Sequence, residues 1–195
     1  FDNFTLSLSE STGLRHPDLY VLHGSNPSGS YKAMKTTKAE TSLTRELSVK
    51  YNLSDVISLE STAYKGSVSD VLNRGTSTNG YNEIIDIEQE GLENSFILKG
   101  DDQKLILSST LSKSREGNGR PQLRRPEKQF GINYTKKVIS NFFGPFDLKY
   151  DYRHIGKVED WKNGSVRSKV DSSDIMNLSL SKKLSKQVWS LNIFN

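Results

Sequence analysis

The chain has 195 residues, a formal charge of +4 from 27 basic and 23 acidic side chains, and only 33% hydrophobic residues; mean hydropathy is −0.62. It has no cysteine, which excludes disulfide staples and cysteine-bound zinc. No run reaches the roughly eighteen apolar residues of a membrane-crossing helix, although barrel strands need only about 9–11 residues of alternating character. The charges are well mixed, so a solvated surface is favoured over a nucleic-acid footprint.

Alternation then recurs along the chain. The first strand, Asn3 to Glu10, sets Phe4, Leu6 and Leu8 against Thr5, Ser7 and Ser9. Successive strand side chains face opposite sides, so each such segment has one apolar and one hydrophilic face. A long polar loop leads to a second strand ending at Tyr51, with Leu47, Val49 and Tyr51 on one face. After a short turn, a third strand begins at Val56, and a loop GSVSDVLNRGTSTNG is expected after it. In the fourth, Asn82 to Lys99, Leu92, Phe96 and Leu98 share a face, but Ile85 and Ile87 are out of phase. That predicts a bulge in this strand.

Gly100-Asp101-Asp102 turns the chain into a fifth strand, Lys104 to Lys113, followed by the loop SREGNGRPQLRR. Phe130, Ile132 and Tyr134 mark a sixth strand. Phe146, Leu148, Tyr150 and Tyr152 mark a seventh, alternating with Asp147, Lys149, Asp151 and Arg153. A loop GKVEDWKNGSVRSK precedes a closing hairpin, with Met176, Leu178 and Leu180 in one arm and Trp189, Leu191 and Ile193 in the other.

Short and long connections alternate between about nine strands, and loops of roughly fifteen to twenty-five residues are uncommon in compact soluble domains. The pattern predicts an all-β, antiparallel up-and-down transmembrane β-barrel, here a partial one, with short periplasmic turns and long extracellular loops. The cause is the solvent: in hydrocarbon every backbone N–H and C=O must pair internally, so only helices and closed barrels span. Tyr51, Tyr134, Tyr150, Tyr152 and Trp189 are candidates for an interfacial aromatic girdle. A small self-contained porin or adhesin, or a soluble all-β binding protein with one wet face, are the alternatives.

Several stretches resemble a known family. STGLRHPDLYVLHGSNPSG, VKYNLSDVISLESTAYKGSVSDVL, QEGLEN, QLRRPEKQFGINY and SDIMNLSL…WSLNIFN are similar, in order and spacing, to the C-terminal barrel of TonB-dependent outer-membrane receptors. Within that family, cobalamin and siderophore receptors are the most similar. The resemblance covers residues 1–195 and implies that the plug, the first half of the barrel and the last strand lie outside this sequence. It implies residence in the bacterial outer membrane, contact with lipid and lipopolysaccharide, and uptake of a bulky, scarce nutrient. The energy would come from TonB, acting through the plug.

No catalytic residue, metal site or cofactor is expected, and no nucleic acid. His16, His23 and His154 lack metal-ligand spacing, and no nucleophile elbow occurs. His16-Pro17-Asp18 matches a co-chaperone tripeptide without the flanking helices. Arg120, Arg124, Arg125 and Lys128 form a basic cluster suited to lipopolysaccharide phosphates or solvent. Cations and aromatics suit large anionic or planar ligands, so the candidate ligand contacts are Arg15, Tyr20, Arg74, Arg124, Arg125 and Trp161, all expected in loops.

Overall fold

The computed structural model of the chain describes residues 3–17, 38–74, 81–142, 144–162, 166–184 and 187–194. Among them every regular element is a strand: β1 (Phe4–Arg15), β2 (Glu40–Asn52), β3 (Ile57–Arg74), β4 (Tyr81–Lys99), β5 (Gln103–Glu116), β6 (Lys128–Ser140), β7 (Gly144–Ile155), β8 (Val158–Lys162), β9 (Val166–Val170), β10 (Ser173–Leu184) and β11 (Gln187–Phe194). Nine form one sheet in the order β1-β2-β3-β4-β5-β6-β7-β10-β11, antiparallel at every pairing. The sheet is open, with β1 and β11 at its edges. β8 and β9 form a separate hairpin.

Three expectations need correction. The segment 156–172 is a loop only at its ends, because β8 and β9 pair within it. Strands β1, β3 and β5 run past their expected ends, to Arg15, Arg74 and Glu116, so that only 75–80 connect β3 to β4. The bulge lies in β3, between Val68 and Val71, which face Ile87 and Ile85. Asp70 takes up the extra residue at φ 59°, and its N–H donates to Asp86 Oδ1 at 3.1 Å. A second register shift leaves Asn82 of β4 unmatched, between the pairs Asn73–Glu83 and Arg74–Tyr81, and Ile87 points away from Leu92 and Phe96. It is the buried hydrophobic side chain of the described residues.

Among the described residues no second layer covers the sheet, which explains why so few of them are buried. Phe4, Tyr51, Leu59, Phe96, Leu107, Ile132, Tyr152 and Met176 stand opposite one another in a single unbroken row across eight strands. One row nearer the short turns lie Ile57, Leu98, Leu105, Tyr134, Tyr150, Leu178 and Ile193. Directly opposed side chains interact across the strands, and Phe130 meets Tyr152 edge-on at 6.4 Å, worth about 0.5–1.5 kcal/mol beyond burial. No described element packs over this face. It is the face that the alternation assigns to lipid. A polar interruption, Ser61, Asn94 and Ser109, bonds to itself: Ser61 Oγ donates to Asn94 Oδ1 at 2.8 Å and Asn94 Nδ2 to Ser109 Oγ at 3.4 Å.

Above the apolar band, toward the long connections, the outward face turns charged on β1 to β7 and on β10. Glu10, Arg45, Lys65, Glu90 and Lys113 form one continuous row. The first outward polar group on β6 is Lys128, one pair lower, opposite Leu111. On β7 and β10 it is His154 and Asp174, lower again. A boundary that steps down the register in this way is what tilted strands produce when the membrane plane is level. Asp174 accepts from Tyr152 Oη at 2.7 Å and lies 2.8 Å from His154 Nδ1.

The opposite face is hydrophilic. Lys50 pairs with Glu60 at 2.9 Å and Arg153 with Asp151 at 3.3 Å, while the hydroxyls of Ser48 and Thr62 lie 2.9 Å apart. Tyr64 lies over its cross-strand partner Gly91, where an added Cβ would come within 2.6 Å of the phenol ring. Gly91→Ala is therefore expected to lower stability by about 1–3 kcal/mol, the usual cost of overpacking. Tyr64→Ala in the same chain should recover most of that loss, read as the urea midpoint of the refolded protein.

Candidate functional site

The candidate site is the rim at the long-loop end, where β5, the loop 117–127 and the β8–β9 hairpin meet. β5 closes with Glu116, which faces the same side as its partner Ile87. Gly119, at φ 80°, turns the loop back; its N–H donates to Glu116 O at 2.7 Å, and Glu116 N–H donates to Arg120 O at 2.8 Å. The returning chain keeps to the edge of β5: Gln122 N–H donates to Ser114 O at 2.8 Å and Ser114 Oγ to Gln122 Oε1 at 2.6 Å. Arg124, at φ 60°, then donates its N–H to Glu159 O of β8 at 2.8 Å.

Arg167 of β9 ties the hairpin down from the lumen side. Its Nη2 bonds both oxygens of Glu116, 2.6 Å to Oε2. Its Nη1 donates to Pro121 O at 2.8 Å, and Glu159 lies 3.8 Å away. The guanidinium sits 5.5 Å from the centroid of the Trp161 ring, within cation–π range. The Glu116 side chain is 4% exposed and that of Arg167 16%, so the two charges are withdrawn from water and depend on each other. Arg167 Nε is buried and meets no acceptor among the described residues.

A second, exposed pair borders it. Arg124 Nε donates to Asp160 Oδ1 at 2.9 Å, and the Trp161 N–H donates to the same oxygen at 2.7 Å. The backbone donor first, and the guanidinium second, hold the Asp160 carboxyl below its usual 3.8, since both bonds favour the anion. A depressed carboxylate stabilises the fold above its unfolded-state value and loses that contribution as pH falls through the folded one. Hairpin docking is thus expected to weaken below about pH 4, the ordinary carboxylate range, and Asp160→Asn to abolish that step. Protease accessibility of segment 156–172 against pH reads both.

The six expected contacts are distributed unevenly. Arg124 and Trp161 come together at this rim, bridged by Asp160. Arg125 is exposed beside them, within electrostatic reach of Tyr64. Arg15 ends β1 and not a loop, 3.5 Å from Glu40, apart from the Glu116–Arg167 cluster; Arg74 ends β3, and its side chain lies outside the described residues. Tyr20 lies outside the described residues, as does His23. The basic cluster is divided, with Arg124 turned to the hairpin and Lys128 standing on the outer wall. Glu116 and Arg167 were not anticipated. A signal existed, since Asn163-Gly164 between two short alternating stretches is a strong hairpin pattern.

Together these features define an antiparallel wall of barrel type whose looped end carries a cationic and aromatic rim. The comparisons give that wall a specific likeness. The structure matches the outer-membrane ferripyoverdine receptor of Pseudomonas aeruginosa (TM-score 0.73, 14% identity, all of this chain and 27% of that one). It also matches the ferric-catecholate import receptor Fiu of Escherichia coli K12 (0.73, 16%, covering 100% and 29%) and the copper transporter OprC (0.73, 17%, covering 98% and 31%). No protein-family model and no curated sequence matches the chain. The fold is that of outer-membrane receptor barrels, and the chain spans less than a third of the length of these receptors.

Proposed function

We propose that the chain is the C-terminal part of the barrel of a TonB-dependent receptor in the bacterial outer membrane. The receptor takes up a bulky, scarce nutrient, an iron–siderophore or a cobalamin. TonB supplies the energy through a plug carried elsewhere in the receptor. The wall performs no chemistry: it keeps a dry exterior, lines the lumen with hydrogen-bonding groups and holds the mouth in place. Its outer rim meets lipid and lipopolysaccharide.

The observation that carries this reading is the Arg167–Glu116 pair, which fixes a hairpin bearing Trp161 and Asp160 at the rim beside Arg124 and Arg125. Guanidinium forks and an indole face suit an anionic, partly planar chelate, which favours the iron–siderophore over the cobalamin. The likeness to receptors for ferripyoverdine and ferric catecholates supports the same choice. A small porin or adhesin is disfavoured because the open sheet matches a part of much longer chains.

The test uses the whole receptor in detergent, titrated with ferric catecholate, ferric hydroxamate and cyanocobalamin while its tryptophan fluorescence is followed. A ferric chelate should bind, and Arg124→Ala with Arg125→Ala should weaken it by about tenfold or more, each lost charge-assisted contact being worth about 1.5–3 kcal/mol. Binding of cobalamin alone, or an affinity unchanged by both substitutions, would overturn the assignment.

A further inference from the structure

Within the apolar band of the outward face lies a polar island that the transport reading does not use. Ser61, Asn94 and Ser109 stand side by side on β3, β4 and β5. Phe96 and Leu107 lie in the row below, Leu92 and Leu111 in the row above, and Val49 and Phe130 at either end. Hydrocarbon offers no hydrogen-bonding partner, so a polar side chain at this depth depends on protein for one.

The island satisfies itself only in part. Ser61 Oγ donates to Asn94 Oδ1 at 2.8 Å, and Asn94 Nδ2 donates to Ser109 Oγ at 3.4 Å. An amide nitrogen carries two hydrogens and its oxygen two lone pairs, while a hydroxyl both donates and accepts. One amide hydrogen, one Oδ1 lone pair, the Ser109 O–H and the lone pairs of Ser61 Oγ thus have no partner among the described residues. Both bonds run sideways along the sheet, so the unused hydrogen and lone pair of the amide lie on its outer edge. The backbone ladder already joins these strands, so the wall does not need the island to hold it together.

We infer that the island is a contact between two copies of the receptor within the membrane. The inference rests on the outer-membrane placement proposed above. Two copies that form a closed pair, with their loops on the same side of a bilayer, are related by a two-fold axis along the membrane normal. Such an axis at Asn94 exchanges left and right along the row. The Oδ1 edge of one amide then meets the Nδ2 edge of the other, which gives two reciprocal N–H···O bonds. Ser109, with its spare donor, meets Ser61 of the second copy, with its spare acceptor. Every unused group of the island is matched by its own twin, which selects a second copy over a lipid chain or an unrelated barrel. Polar side chains of this kind join membrane segments to one another.

The experiment places the whole receptor in lipid vesicles over a range of protein-to-lipid ratios and counts copies per particle by single-molecule photobleaching. The natural receptor should pass from one copy to two as the ratio rises. Asn94→Leu should move that midpoint about tenfold toward higher protein density, the equivalent of roughly 1.4 kcal/mol, for its two bonds between copies. Ser61→Ala with Ser109→Ala should move it in the same direction. The urea midpoint of Asn94→Leu in lipid should not fall, because leucine suits the apolar band, so lost pairing reports the contact and not unfolding. This chain has no cysteine. Asn94→Cys should therefore form a disulfide between copies under mild oxidation, whereas Met176→Cys, on the same outward face but on β10, should not. Copies distributed independently at every ratio, an unchanged midpoint in Asn94→Leu, or equal cross-linking at Met176→Cys would overturn the contact. Titration of the ferric chelate on the same vesicles separates failure of this contact from failure of the transport assignment.

Discussion

Replacing Arg167 by alanine is expected to free the β8–β9 hairpin from the barrel wall. The substitution removes both bonds to Glu116, the bond to Pro121 O and the contact with Trp161. It also leaves a carboxylate that is 4% exposed with no counter-charge, and breaking a buried pair from one side costs about 3–5 kcal/mol. The hairpin is a local unit whose opening need not unfold the strands beneath it. The expected result is therefore a rise of about 10²–10³-fold in protease cleavage or hydrogen exchange within 158–170, with little change in the global urea midpoint. Glu116→Gln should fall between the natural chain and Arg167→Ala, because a neutral amide tolerates burial better than an unpaired anion. Exchanging the two charges, Glu116→Arg with Arg167→Glu, should restore part of the protection. Unchanged cleavage in Arg167→Ala would mean that the hairpin is held by the Arg124 contacts instead.

The second large effect separates the two faces of the wall. Leu107 lies in the apolar row between Phe96 and Ile132, and Leu107→Arg is expected to cost about 2–4 kcal/mol when the protein is folded in a bilayer, the value for a cation near the midplane. Thr110 lies on the same strand but faces the lumen, directly opposite Glu93. Thr110→Arg places the same charge beside a carboxylate and should change stability by less than about 0.5 kcal/mol, as polar surface substitutions do. Urea titration in lipid vesicles gives both numbers. Equal costs would mean that the face assignment is wrong.

Most of the wall was legible because its solvent imposes a period of two. The apolar sets on β1, β2, β5, β6, β7, β10 and β11 face outward as the alternation requires, and the structure only joins them into rows. What the alternation hid has two physical causes. In β3, the residue taken up at Asp70 shifts the phase, so Val68, Val71 and Leu72 do not read as one strand, and Ile85 and Ile87 seemed misplaced on the partner instead. In β8 and β9, each strand has only five residues, too few for periodicity to stand out against the flanking charges. The Asn163-Gly164 dipeptide was the more informative feature there. The Arg167–Glu116 pair joins positions 51 residues apart, and no local pattern can announce such a contact. Arg124 and Trp161 were reached from their chemistry alone, and the hairpin register is what brought them to the same rim.

The unequal strand lengths carry a further consequence. β3 and β4 have 18 and 19 residues, and β3 continues from Lys65, where the outer face turns charged, to Arg74. At about 3.3 Å per residue, roughly 30 Å of paired ribbon stands beyond the apolar band, braced by its own backbone hydrogen bonds. A ribbon of that reach is the part of the wall that a large particle approaching from the looped end would meet first. The rim that carries Arg124 and Trp161 lies farther down, so the tip and the rim can change independently.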